Sequence, residues 1–157
     1  MTDGDAPKEL VRLEIPALPA FVGVARVVVA SVSTTVDGID DDRLEDLRIA
    51  VSEACTNAVA AHDPDGATER VVLRCVLAGD ALEVHVEDDR PRLDGADGLT
   101  APTVAGAEQE GDGDLEGADR GWGLQLIRAL VDDVAFTESE DGTGTSVRLL
   151  VRRSSGG

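Results

Sequence analysis

The stretch LEDLRIAVSEACTNAVAAH, residues 44 to 62, is the part of the chain that decides the fold. Glu53 and Asn57 lie four residues apart in it and therefore point the same way, together with Asp46. Opposite them, apolar side chains recur at helical spacing and predict one buried stripe, made by Leu44, Leu47, Val51, Ala54, Cys55 and Ala58. The stretch predicts a long helix that covers a core and carries a polar pair on its far side.

The polar pair has two interpretations. An acid opposite an apolar stripe is usual in amphipathic helices, and pattern alone favours a solvated face. The flanking residues favour a pocket instead, because the face is apolar and short-chained at Ile49, Ala50, Ala60 and Ala61. In a pocket, a carboxylate can orient and deprotonate a hydroxyl or water, and an amide oxygen can ligate a hard cation. That combination suits phosphoryl transfer or hydrolysis at a magnesium nucleotide.

The segments around this helix predict the fold class. Alternating apolar residues predict strands, Gly79-Asp80 predicts a hairpin turn, and helical spacing predicts two further helices. The predicted order is strand 10–15, helix 18–36, the long helix, strands 70–77 and 81–88, helix 121–133, and strands 134–139 and 145–151. We therefore expect an α+β fold: a two-layer sandwich with one mixed β-sheet and helices on one face.

Composition limits the function. With 157 residues, we expect a single domain over 1–157, with disordered tails at 1–8 and 153–157. The formal net charge of −18 argues against a broad grip on nucleic acid or anionic lipid, so partners should be proteins or small molecules. The sequence shows no signal segment or long apolar run, which predicts a cytoplasmic protein without a membrane anchor. Cys55 and Cys75 are expected to be reduced core residues.

Two glycine-rich segments stand out. Residues 94–120 are rich in glycine and acids without apolar periodicity, which indicates a functional lid or a disordered insertion. GWGLQLI, from residue 121, places glycines where a helix opens, and free backbone N–H groups there can hold phosphate. A helix that only needs a tight entry turn has a similar sequence. The phosphate-loop pattern G-x-x-x-x-G-K-[ST] does not occur.

Four ordered segments carry a family resemblance: LEDLRIAVSEACTNAV, VEDDRPRLD, RGWGLQLIRALVDDV and GTSVRLLV. Together with EIPALPAFVGVAR near the start, they resemble the anti-sigma-factor serine/threonine-protein kinase family of the histidine-kinase-like (GHKL, Bergerat-fold) ATPases. The resemblance extends over residues 10 to 152 in unbroken order. It implies that ATP is bound with Mg²⁺.

The resemblance implies a role for each matching residue. Glu53 corresponds to the catalytic acid that activates the attacking hydroxyl, Asn57 to the ligand of Mg²⁺, and Asp88 to the acceptor of the adenine amino group. The other nucleotide-binding positions are the glycine box, the threonine of the last box and the candidate contact to the γ-phosphate: Gly121, Gly123, Leu124, Thr145 and Arg120.

The sequence departs from the family pattern at two places. After Asp88 the pattern D-x-G-x-G is replaced, with Arg90 and Arg92 at the glycine positions. If glycine is needed for special backbone angles there, arginine weakens or abolishes ATP binding. Alternatively, the two arginines would place cations beside the phosphate site and compensate for the loss of the glycines. The histidine common four residues after the family's asparagine is also displaced, with Ala61 at that position and His62 next.

The function implied by the resemblance is that of an ATP-dependent anti-sigma factor with protein-serine/threonine kinase activity. Such a protein binds a sigma factor and phosphorylates an anti-sigma antagonist of the STAS type, and a homodimer is also implied. The alternative is a non-catalytic module that binds a sigma factor or regulator and has a degenerate nucleotide site. A simple ATP hydrolase or a histidine kinase core is less favoured, because no phosphoacceptor-histidine helical domain precedes the sequence.

Overall fold

The computed structural model describes residues 6–60, 69–88, 125–138 and 144–155. The strands and helices in these ranges agree closely with the predicted segments. They are β1 (Lys8–Pro16), a 3₁₀ turn (Pro19–Phe21), α1 (Val22–Ser33), α2 (Asp41–Ala60), β2 (Arg70–Ala78), β3 (Ala81–Asp88), a helical segment α3 (125–130), β4 (Asp133–Glu138) and β5 (Thr145–Arg152).

The strands form one sheet in the order β1-β2-β3-β5-β4. The expected α+β sandwich is confirmed, but every strand pair is antiparallel, where a mixed sheet was predicted. The reason lies in the connections. The pair of helices after β1 returns the chain to the end it left, so Pro16 is opposite Arg70. β4 runs in the same direction as β3, but β5 lies between the two.

Helical periodicity decides the conformation of the ambiguous segment 18–36. Its β-branched residues suit a strand, yet Ala25, Val29 and Val32 are buried at helical spacing in α1, and Pro19 is accommodated in the preceding 3₁₀ turn. For α2, Asp40 is the N-cap, because its Oδ1 accepts a 2.8 Å hydrogen bond from the backbone N–H of Arg43.

The core lies between the helices and one face of the sheet. The largest fully buried side chains come from both layers, and each contributes on the order of 2 kcal/mol through removal of apolar surface from water: Leu47, Leu73, Leu82, Ile127 and Leu149. Cys55 and Cys75 are buried there as free thiols, which confirms the expectation that both are reduced core residues.

The opposite face of the sheet carries ion pairs between neighbouring strands. Arg74 lies 2.7 Å from Glu87 and 3.5 Å from Glu9, and Arg148 lies 3.3 Å from Asp133. Opposite charges on adjacent strands stabilise their pairing by a few tenths of a kcal/mol to about 1 kcal/mol. The two arginines therefore balance nearby acids on this face.

The end of β5 is tied to two turns. Arg153 donates its backbone N–H to the Asp80 carbonyl at 2.7 Å and its Nε–H to the Asp37 carbonyl at 2.6 Å, and Ser154 donates its N–H to the Gly38 carbonyl at 2.8 Å. We expected residues 153–157 to be a disordered tail, and for Arg153 and Ser154 that expectation is wrong. Three backbone acceptors hold them against the α1–α2 and β2–β3 turns. At the other end, Lys8 already belongs to β1.

Gly38→Ala should lower the free energy of unfolding by about 2 kcal/mol or more, because Gly38 has a φ of +91°. A Cβ there would also lie 2.7 Å from the Ser154 carbonyl oxygen, a backbone atom that cannot easily move. For a chain of this size the melting temperature should fall by roughly 4–8 °C.

The matched control is Gly23→Ala. Its Cβ would meet only the Arg26 guanidinium at 3.9 Å, in α1, so it should raise stability by about 0.5–1 kcal/mol. Thermal unfolding followed by circular dichroism measures both variants. Equal changes in stability in the two variants would mean that the contact between Gly38 and Ser154 does not constrain the fold.

Candidate functional site

The polar pair predicted on the long helix is carried by α2. The buried residues of this helix define one continuous line, namely Leu47, Ala50, Val51, Ala54, Cys55 and Val59. Glu53 and Asn57 border that line and are half-buried, so they belong neither to the core nor to a fully solvated face. Within the described residues neither side chain forms a hydrogen bond or ion pair. Partly buried, unpaired polar groups of this kind favour the pocket interpretation.

A second pair lies at one end of the sheet. Asp88 on β3 is directly opposite Thr145 on β5, and both are buried, at 7% and 5% exposure. Their positions in the alternation place them on the helix-facing side, in line with the core residues Val86 and Leu149. The structure therefore brings together two predicted site residues that are distant in sequence.

The position of α2 on the sheet is fixed at its start. Arg43 Nη2 lies 2.6 Å from Asp132 Oδ2, and the same oxygen accepts a 2.7 Å hydrogen bond from the backbone N–H of Arg152. Arg152 is opposite Ala81, the first residue of β3. Because α2 packs against β3 and β5, its C-terminal half extends towards the end of β3 where Asp88 lies.

The standard rise per residue of helices and strands also places the Glu53–Asn57 pair near the Asp88–Thr145 pair along the sandwich. Glu53 and Asn57 lie roughly 15 and 21 Å along the helix from Arg43, at a rise of about 1.5 Å per residue. Asp88 lies roughly 24 Å along β3 from Ala81, at about 3.4 Å per residue. The polar pair in the helix layer and the buried pair in the sheet layer are therefore near the same end of the sandwich.

The remaining predicted nucleotide contacts lie outside the described residues. These are Arg120, Gly121, Gly123 and Leu124, and the same holds for Arg90, Arg92 and the expected lid at 94–120. The described chain resumes with α3, directly after Leu124, and Ile127 of α3 is fully buried in the core. The helical part of the predicted phosphate-binding segment is thus packed into the same sandwich.

Cys55 lies between Glu53 and Asn57 in sequence but has no place in the chemistry of this site. It is fully buried, and burial raises the pKa of its thiol to about 12 because the thiolate would lose its hydration. Burial likewise raises the pKa of the Cys75 thiol to about 11. At neutral pH both remain protonated, so neither is a nucleophile or a metal ligand.

The donor set of the polar pair is compatible with Mg²⁺. The described residues contain no group of three or more His, Cys, Asp or Glu side chains that could hold a metal ion. Asn57 instead offers a single neutral oxygen, with the Glu53 carboxylate one turn away. Mg²⁺ is commonly held by one or two protein oxygens together with the phosphates of a substrate, which matches this arrangement.

Sequence reasoning missed Arg43 and Asp132. The two residues are 89 positions apart, and an arginine in an acidic first turn and an acid in VDD are both ordinary patterns. Nothing in either pattern indicates the other. The contact follows only from the packing of α2 and α3 on the sheet.

The architecture defines the class of protein. A five-stranded antiparallel sheet is covered on one face by helices, with an acid and an amide on α2 and a buried aspartate and threonine at one end of the sheet. A family model described as a histidine kinase-like ATPase domain matches residues 15–151. No helix in the described ranges is long and apolar enough to cross a membrane.

Similar proteins narrow this class. Serine-protein kinase RsbW of Bacillus pumilus is 34% identical over 149 residues, covering 92% of this chain and 88% of that protein. Serine-protein kinase RsbW of Bacillus subtilis is 33% identical over 149 residues, covering 90% and 86%. The chain therefore belongs to the histidine kinase-like ATPase family, within the group of the RsbW serine-protein kinases, as the resemblance implied.

A solved structure agrees on the fold. The crystal structure of the RsbU and RsbW domains of a Mycobacterium tuberculosis protein superimposes with a TM-score of 0.59 at 22% identity. The match covers 93% of this chain and 33% of the longer mycobacterial chain. At this identity the similarity establishes the fold alone.

Proposed function

We propose that this protein binds MgATP between α2 and the Asp88–Thr145 end of the sheet and transfers the γ-phosphoryl group to a serine or threonine of a protein partner. The observation that carries the proposal is the burial of Asp88 opposite Thr145, at the end of the sandwich towards which the Glu53–Asn57 half of α2 extends. The serine-protein kinase relatives support the same activity.

The adenine end of the nucleotide is assigned to the sheet. The Asp88 carboxylate is buried, and a carboxylate is a strong acceptor for an amino group. Asp88 would accept a hydrogen bond from the adenine amino group, and Thr145 beside it would offer a hydroxyl to the same ring. The two residues would thereby select adenine among nucleobases. The phosphates would then extend towards Gly121, Gly123 and Leu124, with Arg120 at the γ-phosphate.

The phosphate end is assigned to α2. Asn57 would provide an oxygen to Mg²⁺, which when bound neutralises charge on the phosphates and orients them. Glu53 would orient the attacking hydroxyl and accept its proton. In the transfer, a bond forms between the partner's hydroxyl oxygen and the γ-phosphorus as the bond from that phosphorus to the β–γ bridging oxygen breaks. ADP leaves with the electron pair, and the proton passes to Glu53.

The partners are assigned from the resemblance together with the relatives. The protein would bind a sigma factor and hold it from RNA polymerase, and its phosphoacceptor would be an anti-sigma antagonist of the STAS type. Phosphorylation would stop the antagonist from competing for the kinase. The strongly acidic composition supports protein partners rather than direct contact with nucleic acid.

One observation favours a second function. Arg90 and Arg92 stand where the family pattern has glycines, immediately after the proposed adenine contact. If these arginines block the nucleotide, the protein would act only by stoichiometric capture of a sigma factor or regulator.

The deciding experiment measures ATP affinity with and without Mg²⁺, by calorimetry and by the fluorescence of Trp122, the only tryptophan. Transfer of label from radiolabelled ATP to a candidate antagonist is measured in parallel. We expect binding that depends on Mg²⁺ and transfer to a serine or threonine. If the protein binds a sigma factor but neither binds ATP nor transfers label, the kinase proposal is wrong and the protein acts by stoichiometric capture. Hydrolysis of ATP without any protein acceptor would indicate a simple ATPase.

A further inference from the structure

We infer that Ile49 is a specificity residue for the phosphoacceptor, and that its exposed side chain contacts an apolar residue of the partner two positions from the serine or threonine that receives the phosphoryl group. This inference rests on the proposed function, in which Glu53 accepts the proton of that hydroxyl. All the residues involved belong to α2, which the structure describes from end to end.

Exposure rises across the face of α2 that carries Glu53. At about 100° per residue, the side chains succeed one another around the helix in the order Ala50, Asn57, Glu53 and Ile49. The first is fully buried, the next two are half-buried, and Ile49 is 37% exposed. Glu53 therefore lies between an inner side, where Asn57 borders the core, and an outer side, where Ile49 faces solvent.

The geometry of phosphoryl transfer assigns the two sides of α2 to different substrates. The attacking and leaving oxygens lie roughly in line, on opposite sides of the phosphorus. In the proposed site the nucleotide lies on the inner side, between α2 and the sheet, with its metal at Asn57. The attacking hydroxyl must then reach Glu53 from the outer side. The partner's chain therefore lies over the part of α2 that carries Ile49.

The outer side of α2 offers one large contact. Thr56 and Ala60 are also exposed there, but both are small. Of the large apolar side chains in this fully described helix, only Ile49 is exposed. An isoleucine in a helix strongly prefers one χ1 rotamer, so it loses little side-chain entropy on contact. A single exposed apolar side chain is ordinary on a protein surface, and it is the position beside Glu53 that assigns Ile49 to the acceptor.

The spacing on the helix specifies which partner residue meets Ile49. Ile49 precedes Glu53 by one turn, roughly 6 Å along the axis at about 1.5 Å per residue. In an extended peptide, residues two positions apart point to the same side and lie roughly 6.8 Å apart. A partner segment whose serine or threonine reaches Glu53 therefore places the residue two positions away over Ile49. We expect that residue to be apolar.

The first test is Ile49→Thr in the full chain. Initial rates of label transfer from radiolabelled ATP give the KM for ATP and the KM for the antagonist that the wild type labels. The KM for the antagonist should rise about threefold to tenfold, because apolar contact area is lost. The kcat and the KM for ATP should change less than about twofold, because the contact is the same in the ground state and the transition state. Threonine keeps the β-branch, so α2 should remain folded.

The matched control is Val72→Thr, which makes the same kind of change on the sheet face away from the helices. Val72 is half-buried on that face, since its neighbours Val71 and Leu73 belong to the core. Both KM values should match the wild type. Thermal unfolding followed by circular dichroism verifies that each variant is folded.

A charge swap tests the spacing directly. Mass spectrometry locates the labelled residue of the antagonist, and the residues two positions before and two positions after it are replaced by glutamate, one at a time. One of these replacements should raise the KM measured with the wild-type kinase by about tenfold, because a carboxylate then lies against Ile49. Ile49→Lys should lower the KM for that same antagonist by about threefold or more, through a new pair of opposite charges.

Three results would overturn the inference: an unchanged KM for the antagonist in Ile49→Thr, an equal rise in the KM for ATP, or failure of Ile49→Lys to restore either glutamate variant. The wild-type reaction separates these results from failure of the proposed function. If the wild type transfers no label to any candidate antagonist, the proposed function fails and the role of Ile49 falls with it. If the wild type transfers label and Ile49→Thr does so with the same KM, only the role of Ile49 is wrong.

Discussion

Glu53→Gln should lower the rate of phosphoryl transfer by about a hundredfold to ten-thousandfold, which is the usual contribution of a positioned general base. Glutamine has nearly the same size and keeps an oxygen that can orient the attacking hydroxyl, but it cannot accept its proton. Glu53 borders the buried line of α2 and is half-buried, so the substitution should leave the packing intact. The affinity for MgATP should change by less than about threefold, because the metal ligand Asn57 is untouched.

Single-turnover transfer of label from radiolabelled ATP to the antagonist measures the rate, and calorimetry measures the affinity. The matched control is Glu45→Gln on the same helix, where the side chain is 60% exposed and paired with Arg48. It should transfer label at the wild-type rate. If Glu53→Gln still transfers label at the wild-type rate, Glu53 does not take part in the reaction. If the variant loses both ATP binding and transfer, Glu53 is a nucleotide contact instead.

The local elements of this fold could be predicted because their information is local. The apolar stripe of α2 is contained in one stretch, and Leu47 and Val51 of that stripe are indeed fully buried. The hairpin of β2 and β3 follows from alternation around Gly79, which adopts a positive φ of 57°. In each case the predictive pattern spans fewer than about twenty residues, which is the range over which periodicity carries information.

Contacts between distant segments could not be predicted in the same way. The strand order depends on β5 lying between β3 and β4, and no repeat in the sequence specifies that neighbour. Arg43 meets Asp132 across 89 positions of sequence, and Ser154 contacts Gly38, which precedes it by 116 positions. Such contacts depend on how the layers pack. They are visible in the sequence only as an isolated charge or an isolated glycine.

The candidate site combines both kinds of information. The spacing of Glu53 and Asn57 predicts that they share a face, but taken alone it favours the solvated surface of an amphipathic helix over a pocket. The register of β3 and β5 adds Asp88 opposite Thr145, both buried. Partial burial of the first pair and full burial of the second favour a cleft between the layers. The choice between a solvated surface and a cleft therefore depends on packing, which the periodicity of the sequence does not contain.

Asn57→Ala should remove the dependence of ATP binding on Mg²⁺. In the wild type, the amide oxygen would complete the coordination of a cation that also binds the phosphates, so Mg²⁺ should tighten binding. In the variant, the affinity measured with Mg²⁺ should fall by about tenfold to a hundredfold, towards the value without metal. Alanine is a good helix former and Asn57 is only half-buried, so the melting temperature should change little.

Calorimetric titrations with ATP, with Mg²⁺ and with excess chelator, give the four affinities needed for the wild type and the variant. Thr56→Ala, at the exposed neighbouring position, is the matched control and should keep the full effect of Mg²⁺. Asn57→Asp adds a second test: it retains an oxygen ligand but places a negative charge beside the phosphates. It should therefore keep part of the metal dependence at lower overall affinity. If Asn57→Ala changes only the thermal stability, Asn57 is a structural residue. The assignment of a metal ligand to α2 would then be wrong.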